Sequence, residues 1–300
     1  MNCFGCRGNS RELRIAFKLG LLSNLPTVWT NTLVGVILAG GAMGDSRVPW
    51  LMLALSLCYI AGMFLNDAFD REFDARHRPE RPIPSGEVTA ATVFGAGFAM
   101  LAMGVALLAW IGYGFADGTG WRPPVAGLVL GAAIVFYDWH HKQNALSPIV
   151  MGLCRMLVYV TAAYAFAVDP PGRVFLMGFI LLCYLIGLTY AAKQEHLNRV
   201  TNLWPLAFVA VPILWGLQAS LNNVIAAGAG LLFLVWVLYS LSFLRRRQPG
   251  DVPKAIGGLL AGICLWDALV LAAAGQPSAA VLALVLFGLT LVFQRYVSPT

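Results

Sequence analysis

Charge is what this 300-residue chain has least of: 11% of its residues are charged, against 59% that are hydrophobic. A soluble domain carries roughly 25% charged residues, because its surface meets water on every side. With a mean hydropathy of +0.74, the chain cannot cover such a surface, and a water-soluble globular class is excluded. Cysteine is sparse as well. Six in 300 residues, four of them (Cys58, Cys154, Cys183 and Cys264) inside apolar runs, do not make a secreted disulfide scaffold. Cys3 and Cys6 form a lone CxxC with no further Cys or His nearby at zinc spacing, and read as part of an ordinary tail. The hydrophobicity itself excludes a disordered chain. What remains is a polytopic membrane protein.

A spanning helix needs about 20 mostly apolar residues. Such runs lie near 15–43, 49–66, 89–112, 122–138, 148–168, 173–192, 203–220, 223–244, 255–275 and 278–297. They are continuously apolar rather than alternating, so they predict helices and not barrel strands. The breaks at 220–223 and 275–278 are short and nearly uncharged, which leaves nine spans plus a re-entrant piece open beside ten. The expected fold class is an all-α membrane protein, a polytopic bundle of nine to ten transmembrane helices. It forms a single domain over residues 1–300, with 1–14 as a short cytoplasmic tail. No cleavable leader is expected, since the first apolar run is long and continues through Pro26 and Trp29.

The basic residues predict the orientation. With the termini and even-numbered connections taken as one side, that side holds 16 of the 20 Lys and Arg residues. The opposite side has Arg47, Arg122 and Arg173, and Arg155 falls inside a span. By the positive-inside rule the richer side faces the cytoplasm. The expected location is a bacterial cytoplasmic membrane, with both termini and the acidic loop described next on the cytoplasmic side. The net charge of +6 then reflects orientation among membrane lipids; with no continuous basic face, nucleic acid is not an expected partner.

The connection from Asn66 to Glu87 holds 10 of the chain's 34 charged residues in 7% of its length. If Asn66–Asp74 continues as a helix end, Asp67, Asp70 and Asp74 recur at i, i+3 and i+7, and Asn66 joins them through its i+4 relation to Asp70. Carboxylates converging in this way, without interleaved bases, repel unless a cation sits among them. Oxygen ligands with no His or Cys suit Mg²⁺, which substrate phosphates complete. A solvated acidic helix end is the alternative. Arg78, Arg81, Pro79, Pro82, Pro84 and Gly86 follow as a rigid basic turn, the element a diphosphate would need beside the metal.

Asn66-Asp67-x-x-Asp70-x-x-x-Asp74 followed by Arg78-Pro79-x-Arg81-Pro82-x-Pro84-x-Gly86 resembles the first aspartate motif of the UbiA superfamily of intramembrane prenyltransferases. The resemblance extends to Leu25-Pro26-Thr27-x-Trp29-x-Asn31 and to Tyr137-x-x-x-x-Lys142, where the family places a diphosphate-contacting Tyr and Lys. It implies a UbiA-like helical bundle around a central cavity, over roughly residues 15–275. It also implies an isoprenoid diphosphate held by Mg²⁺ on Asn66, Asp67, Asp70 and Asp74 at the cytoplasmic mouth. The prenyl group then passes to an acceptor that is often aromatic in this family.

The second aspartate motif of the family has no counterpart here. Its position reads Thr189-Tyr-Ala-Ala-Lys193-Gln-Glu195-His196-Leu-Asn198-Arg199, with no aspartate. This divergence resembles the UbiA-like member associated with ebo-type metabolite clusters. Either Lys193 supplies the positive charge of a second Mg²⁺, with Glu195 and Asn198 contacting substrate, or the chain binds an isoprenoid lipid without turning it over. In the catalytic reading Lys142 and Lys193 stabilise the departing diphosphate and Tyr137, Trp139, Tyr159 and Tyr190 are candidates to shelter the allylic cation.

Further polar residues lie in apolar places. Arg155 is costly in a span and is read as a substrate contact or as paired with a neighbouring helix. Asp267 is the other intramembrane charge, a candidate partner for it, for the acceptor or for the cavity wall. Asp138, His140 and His141 read as a polar interfacial loop, with His141 as a base held open. Asn24, Thr27 and Asn31 share one side of the first span, lining a cavity or bonding within the core.

Overall fold

The computed structural model describes residues 22–142, 144–193, 204–221, 223–246, 248 and 250–296. Among them there are helices and no strand. We number the α-helices α1 (Leu25–Leu38), α2 (Arg47–Phe69), α3 (Arg71–His77), α4 (Ala90–Gly114), α5 (Arg122–His140), α6 (Ser147–Tyr164) and α7 (Gly172–Lys193). After a 3₁₀ turn at Trp204–Val209 come α8 (Ala210–Ser220), α9 (Val224–Arg246), α10 (Asp251–Ala273) and α11 (Pro277–Gln294). Seven of them, α2, α4, α6, α7, α9, α10 and α11, are long and apolar enough to cross a membrane, and Leu25–Leu38 and Trp204–Ser220 are shorter apolar helical segments. With α5 these account for the ten apolar runs of the sequence.

Local signals place the ends. Proline stands in the first turn of α1, α5, α6 and α11, where its missing N–H is not needed. Thr89 caps α4 by accepting the Thr92 N–H at 3.2 Å. Between α9 and α10, Asp251 accepts from Arg246 through both oxygens (2.9 and 2.6 Å) and from the Gln248 N–H at 3.0 Å. Part of the arginine run therefore clamps a hairpin.

Two apolar clusters form the interior. One joins α2, α4 and α5, the other joins α7 to α11, and α1 and α6 contribute to both. Helix α10 is buried along nearly its whole length, whereas α4, α9 and α11 present most of their surface outward. Leu128, Leu231, Val235 and Val285 are exposed on outer faces; so much exposed apolar surface suits lipid and not water. Exposed Trp50, Trp110, Tyr113 and Trp121 mark one end of the bundle, and Trp139, Trp204 and Tyr296 the other, the pattern of interfacial aromatic belts.

At the first of these ends Arg47 ties three connections together. It bonds Asp45 at 2.8 Å and the carbonyls of Asp117 and Ala165 at 2.9 and 3.3 Å. Arg122 donates to the Thr119 carbonyl and Arg173 to that of Leu38. All three basic residues of the poorer side thus donate to backbone carbonyls at this end.

Helix α1 sits close against α6 because Gly35 has no side chain. A Cβ there would stand 2.5 Å from the Tyr159 carbonyl oxygen and 2.7 Å from the Ala162 Cβ. Small residues allow such approaches between membrane helices. Gly35→Ala is expected to cost about 1–3 kcal/mol through forced separation of the two backbones, read as a lower midpoint of thermal unfolding in detergent.

Candidate active site

The end of the bundle opposite Arg47 carries the acidic motif. Helix α2 stops at Phe69 and α3 starts at Arg71, with Asp70 at the junction in near-helical geometry. The Asp70 N–H still bonds the Asn66 carbonyl and the Asp74 N–H that of Asp70, both at 2.9 Å. The chain is therefore a jointed helix where spacing predicts a continuous one, and the joint keeps the three aspartates on one side. They are buried, with Asp67 and Asp70 8% and Asp74 2% exposed. The solvated alternative is corrected by that burial.

Buried carboxylates need partners, and here the chain supplies them. Arg81 bonds Asp67 and reaches Asp74 Oδ2 at 3.4 Å. Lys142 Nζ lies 2.9 Å from Asp70 Oδ2 and 3.5 Å above the Phe73 ring, and His141 Nε2 is 3.5 Å from the same oxygen. Burial would push the Asp70 carboxyl up, but the His141 and Lys142 contacts prevail and hold it below its ordinary value. The expectation of carboxylates without interleaved bases is thereby corrected. The proline-rich turn makes this possible. Bonds from the Ser85 N–H to the Arg81 carbonyl, the Gly86 N–H to that of Ile83 and the Val88 N–H to that of Pro82 fold it back. Gly86 closes it at φ +74°, in the left-handed region. Arg78 is exposed at the end of α3.

Helix α5 brings the second wall. Tyr137 stacks on His141 at 5.0 Å between ring centroids. Asp138 Oδ1 accepts from Asn66 Nδ2 at 3.1 Å, and its Oδ2 is buried without a hydrogen-bond partner. Asp138 and His141 thus belong to the site, which corrects their reading as an interfacial loop. Trp139 is 65% exposed, and His140 stacks on Phe136, one turn earlier on the same helix.

A cavity of about 220 Å³ lies between the two apolar clusters, lined from α1, α2, α5, α6, α7 and α10. Its walls include Val28, Leu55, Met63, Ile134, Leu185 and Leu260. Tyr137 belongs to both the cavity and the acidic end, and Asn66 stands one turn beyond Gly62 and Met63 of the lining. Of the aromatic candidates, Tyr137 lines the cavity, Tyr159 is turned to Asp267, and neither Trp139 nor Tyr190 is among the lining residues. Tyr59, which sequence reasoning missed, is.

Arg155 also lines the cavity. It donates to Asn31 Oδ1 at 3.2 Å, and Asn31 Nδ2 donates to Asp267 Oδ2 at 2.7 Å. The Tyr159 hydroxyl donates to the other oxygen of Asp267. The two intramembrane charges are therefore joined through Asn31 rather than in direct contact, and the Arg155 guanidinium lies 5.5 Å from the Tyr59 ring. Asn24 lines the cavity while accepting from Gln294 at 3.0 Å.

Lys193 ends α7, whose Thr189 and Ala192 line the cavity; Glu195 and Asn198 fall outside the described residues. Among the described residues no group of three or more His, Cys, Asp or Glu is gathered as a metal cage. Mg²⁺ does not require one, being held through one or two carboxylates with waters and phosphate oxygens. The donors are all oxygens and one of them, Asp138 Oδ2, is buried without a partner. This chemistry fits Mg²⁺.

Comparison with known proteins gives the family. Residues 28–260 match the UbiA prenyltransferase family. Digeranylgeranylglyceryl phosphate synthase of Pyrococcus horikoshii is 32% identical over 198 residues, 64% of this chain and 65% of that protein. The protein of the same name from Natronomonas pharaonis is 35% identical over 83 residues, 27% of this chain and 30% of its own length. The matched stretches thus span from under a third to just under two thirds of these relatives. The apo structure of a UbiA homologue from Aeropyrum pernix K1 superposes with a TM-score of 0.65 at 16% identity, covering 84% of this chain and 96% of that one. The chain is an integral multi-pass membrane protein and belongs to the UbiA prenyltransferase family.

Proposed function

We propose that the chain transfers a prenyl group from an isoprenoid diphosphate to an acceptor within the membrane, with Mg²⁺ at the acidic end. The observation that carries this is a polar head at the end of an apolar cavity, built from the buried Asp67, Asp70 and Asp74 and answered by Arg81 and Lys142. That is the complement of an amphiphile with a charged head and a hydrocarbon tail. Asn66, Asp67, Asp70 and Asp74 are the ion's ligands in this reading. Bound there, Mg²⁺ would offset the charge gathered by the leaving diphosphate.

Arg81 and Lys142 already stand at the site, held by carboxylates. A diphosphate offers them stronger acceptors, so they exchange a carboxylate for phosphate oxygens without travelling far. In this reading Arg78 and Lys193 supply further positive charge, and Glu195 and Asn198 contact the substrate. The allylic C–O bond breaks and its electron pair leaves with the diphosphate. The carbocation left behind is faced by Tyr137 and Tyr59. The acceptor then supplies the electron pair for the new bond and releases a proton. Arg155, in the cavity wall, holds the acceptor's polar group. The acidic end faces the cytoplasm, supported by 16 of 20 basic residues on its side.

The purified protein, given Mg²⁺, allylic diphosphates of increasing chain length and a membrane-lipid extract, is expected to form a prenylated product identifiable by mass spectrometry. If every donor survives intact, the chain binds isoprenoids without transferring them.

A further inference from the structure

Asp138 lies outside the acidic motif. It is 4% exposed, on the last turn of a different helix, α5, from the one that carries the motif. Its Oδ1 is fixed by Asn66, itself a motif residue, and its Oδ2 has no hydrogen-bond partner. The charges acting on it are those of Asp70 and Asp67. Arg81 is bound to Asp67 and Asp74, and Lys142 and His141 to Asp70, so none of these bases answers Asp138. A buried carboxylate oxygen with no hydrogen-bond partner is expensive, and a hard divalent cation is one partner that satisfies it.

We propose that Asp138 is a ligand of the divalent cation–diphosphate complex, gripping it from α5 across from the motif on α2 and α3. This rests on the prenyltransferase reading and deepens it. With no aspartate in Thr189–Arg199, carboxylates from two separate elements still face the head group, because α5 contributes the second one. Asn66 then has two tasks: it donates its amide to Asp138 and turns its oxygen to the site.

The test uses the full chain in detergent, with Mn²⁺ as a paramagnetic probe and inorganic diphosphate as the head group, read by electron paramagnetic resonance. Asp138→Asn keeps the shape and the acceptor for Asn66, so its thermal unfolding without metal is expected to match the wild type. Its Mn²⁺ affinity in the presence of diphosphate is expected to fall by at least about tenfold, and Asp138→Glu to recover part of the loss. Unchanged affinity in Asp138→Asn overturns the assignment and leaves the prenyltransferase reading standing. A wild-type protein that binds no Mn²⁺ even with diphosphate overturns both. Equal loss of thermal stability in the Asn and Glu variants, with affinity unchanged, assigns Asp138 to packing and overturns it as well.

Discussion

Asp70→Ala is expected to lower diphosphate release by about 10²–10³-fold, the scale of losing one preorganised electrostatic contact in a shielded site. Asp70 stands at the joint between α2 and α3, and both Lys142 and His141 converge on its Oδ2. Removing it takes away a cation ligand and also releases Lys142 from its position. Stability should suffer less than activity. The Lys142 side chain is 35% exposed and can turn to water, so no charge is stranded. Asp70→Asn, which keeps the size and removes the charge, should lose nearly as much activity. A loss confined to the Ala variant would mean that Asp70 fills space.

Asp267→Ala is expected to destabilise the fold by about 3–5 kcal/mol, because it leaves Arg155 buried without its counter-charge. Asn31 transmits the pairing, its oxygen on Arg155 and its nitrogen on Asp267. The double variant Arg155→Met with Asp267→Leu removes both charges and should regain most of that stability in thermal unfolding, an interaction energy a double-mutant cycle isolates. Activity should not return with it. If Arg155 holds the acceptor, the folded double variant raises KM for the acceptor while KM for the diphosphate donor stays near the wild-type value. Full recovery of both stability and acceptor KM would make Arg155 a structural residue.

Much of the bundle was legible in apolar run length, since ten runs became ten helical segments. The first is shorter than its run: α1 covers Leu25–Leu38 of the 15–43 stretch, and residues 15–21 lie outside the described part. The acidic motif was legible through spacing and its trailing prolines. Its own neutralisation was not, because Arg81 meets Asp67 only after the turn folds back on itself. In α5 the missed signal was periodicity. Asp138 and His141 are three apart and Tyr137 and His141 four apart, so each pair shares a face. Tyr59 and Trp139 were not separable by pattern. A lipid-facing helix is apolar on its outer face as well as its inner one, so only the packed structure tells a cavity wall from a membrane surface.

The most direct test of the central claim is release of inorganic diphosphate by the purified wild-type protein from an allylic diphosphate. It should be followed with excess Mg²⁺, after chelation with EDTA, and after Mg²⁺ is restored. Release that requires Mg²⁺, stops on chelation and resumes on restoration is the predicted result. An intact donor under all three conditions, or release indifferent to chelation, would contradict a cation-dependent prenyl transfer site at the acidic end of the cavity.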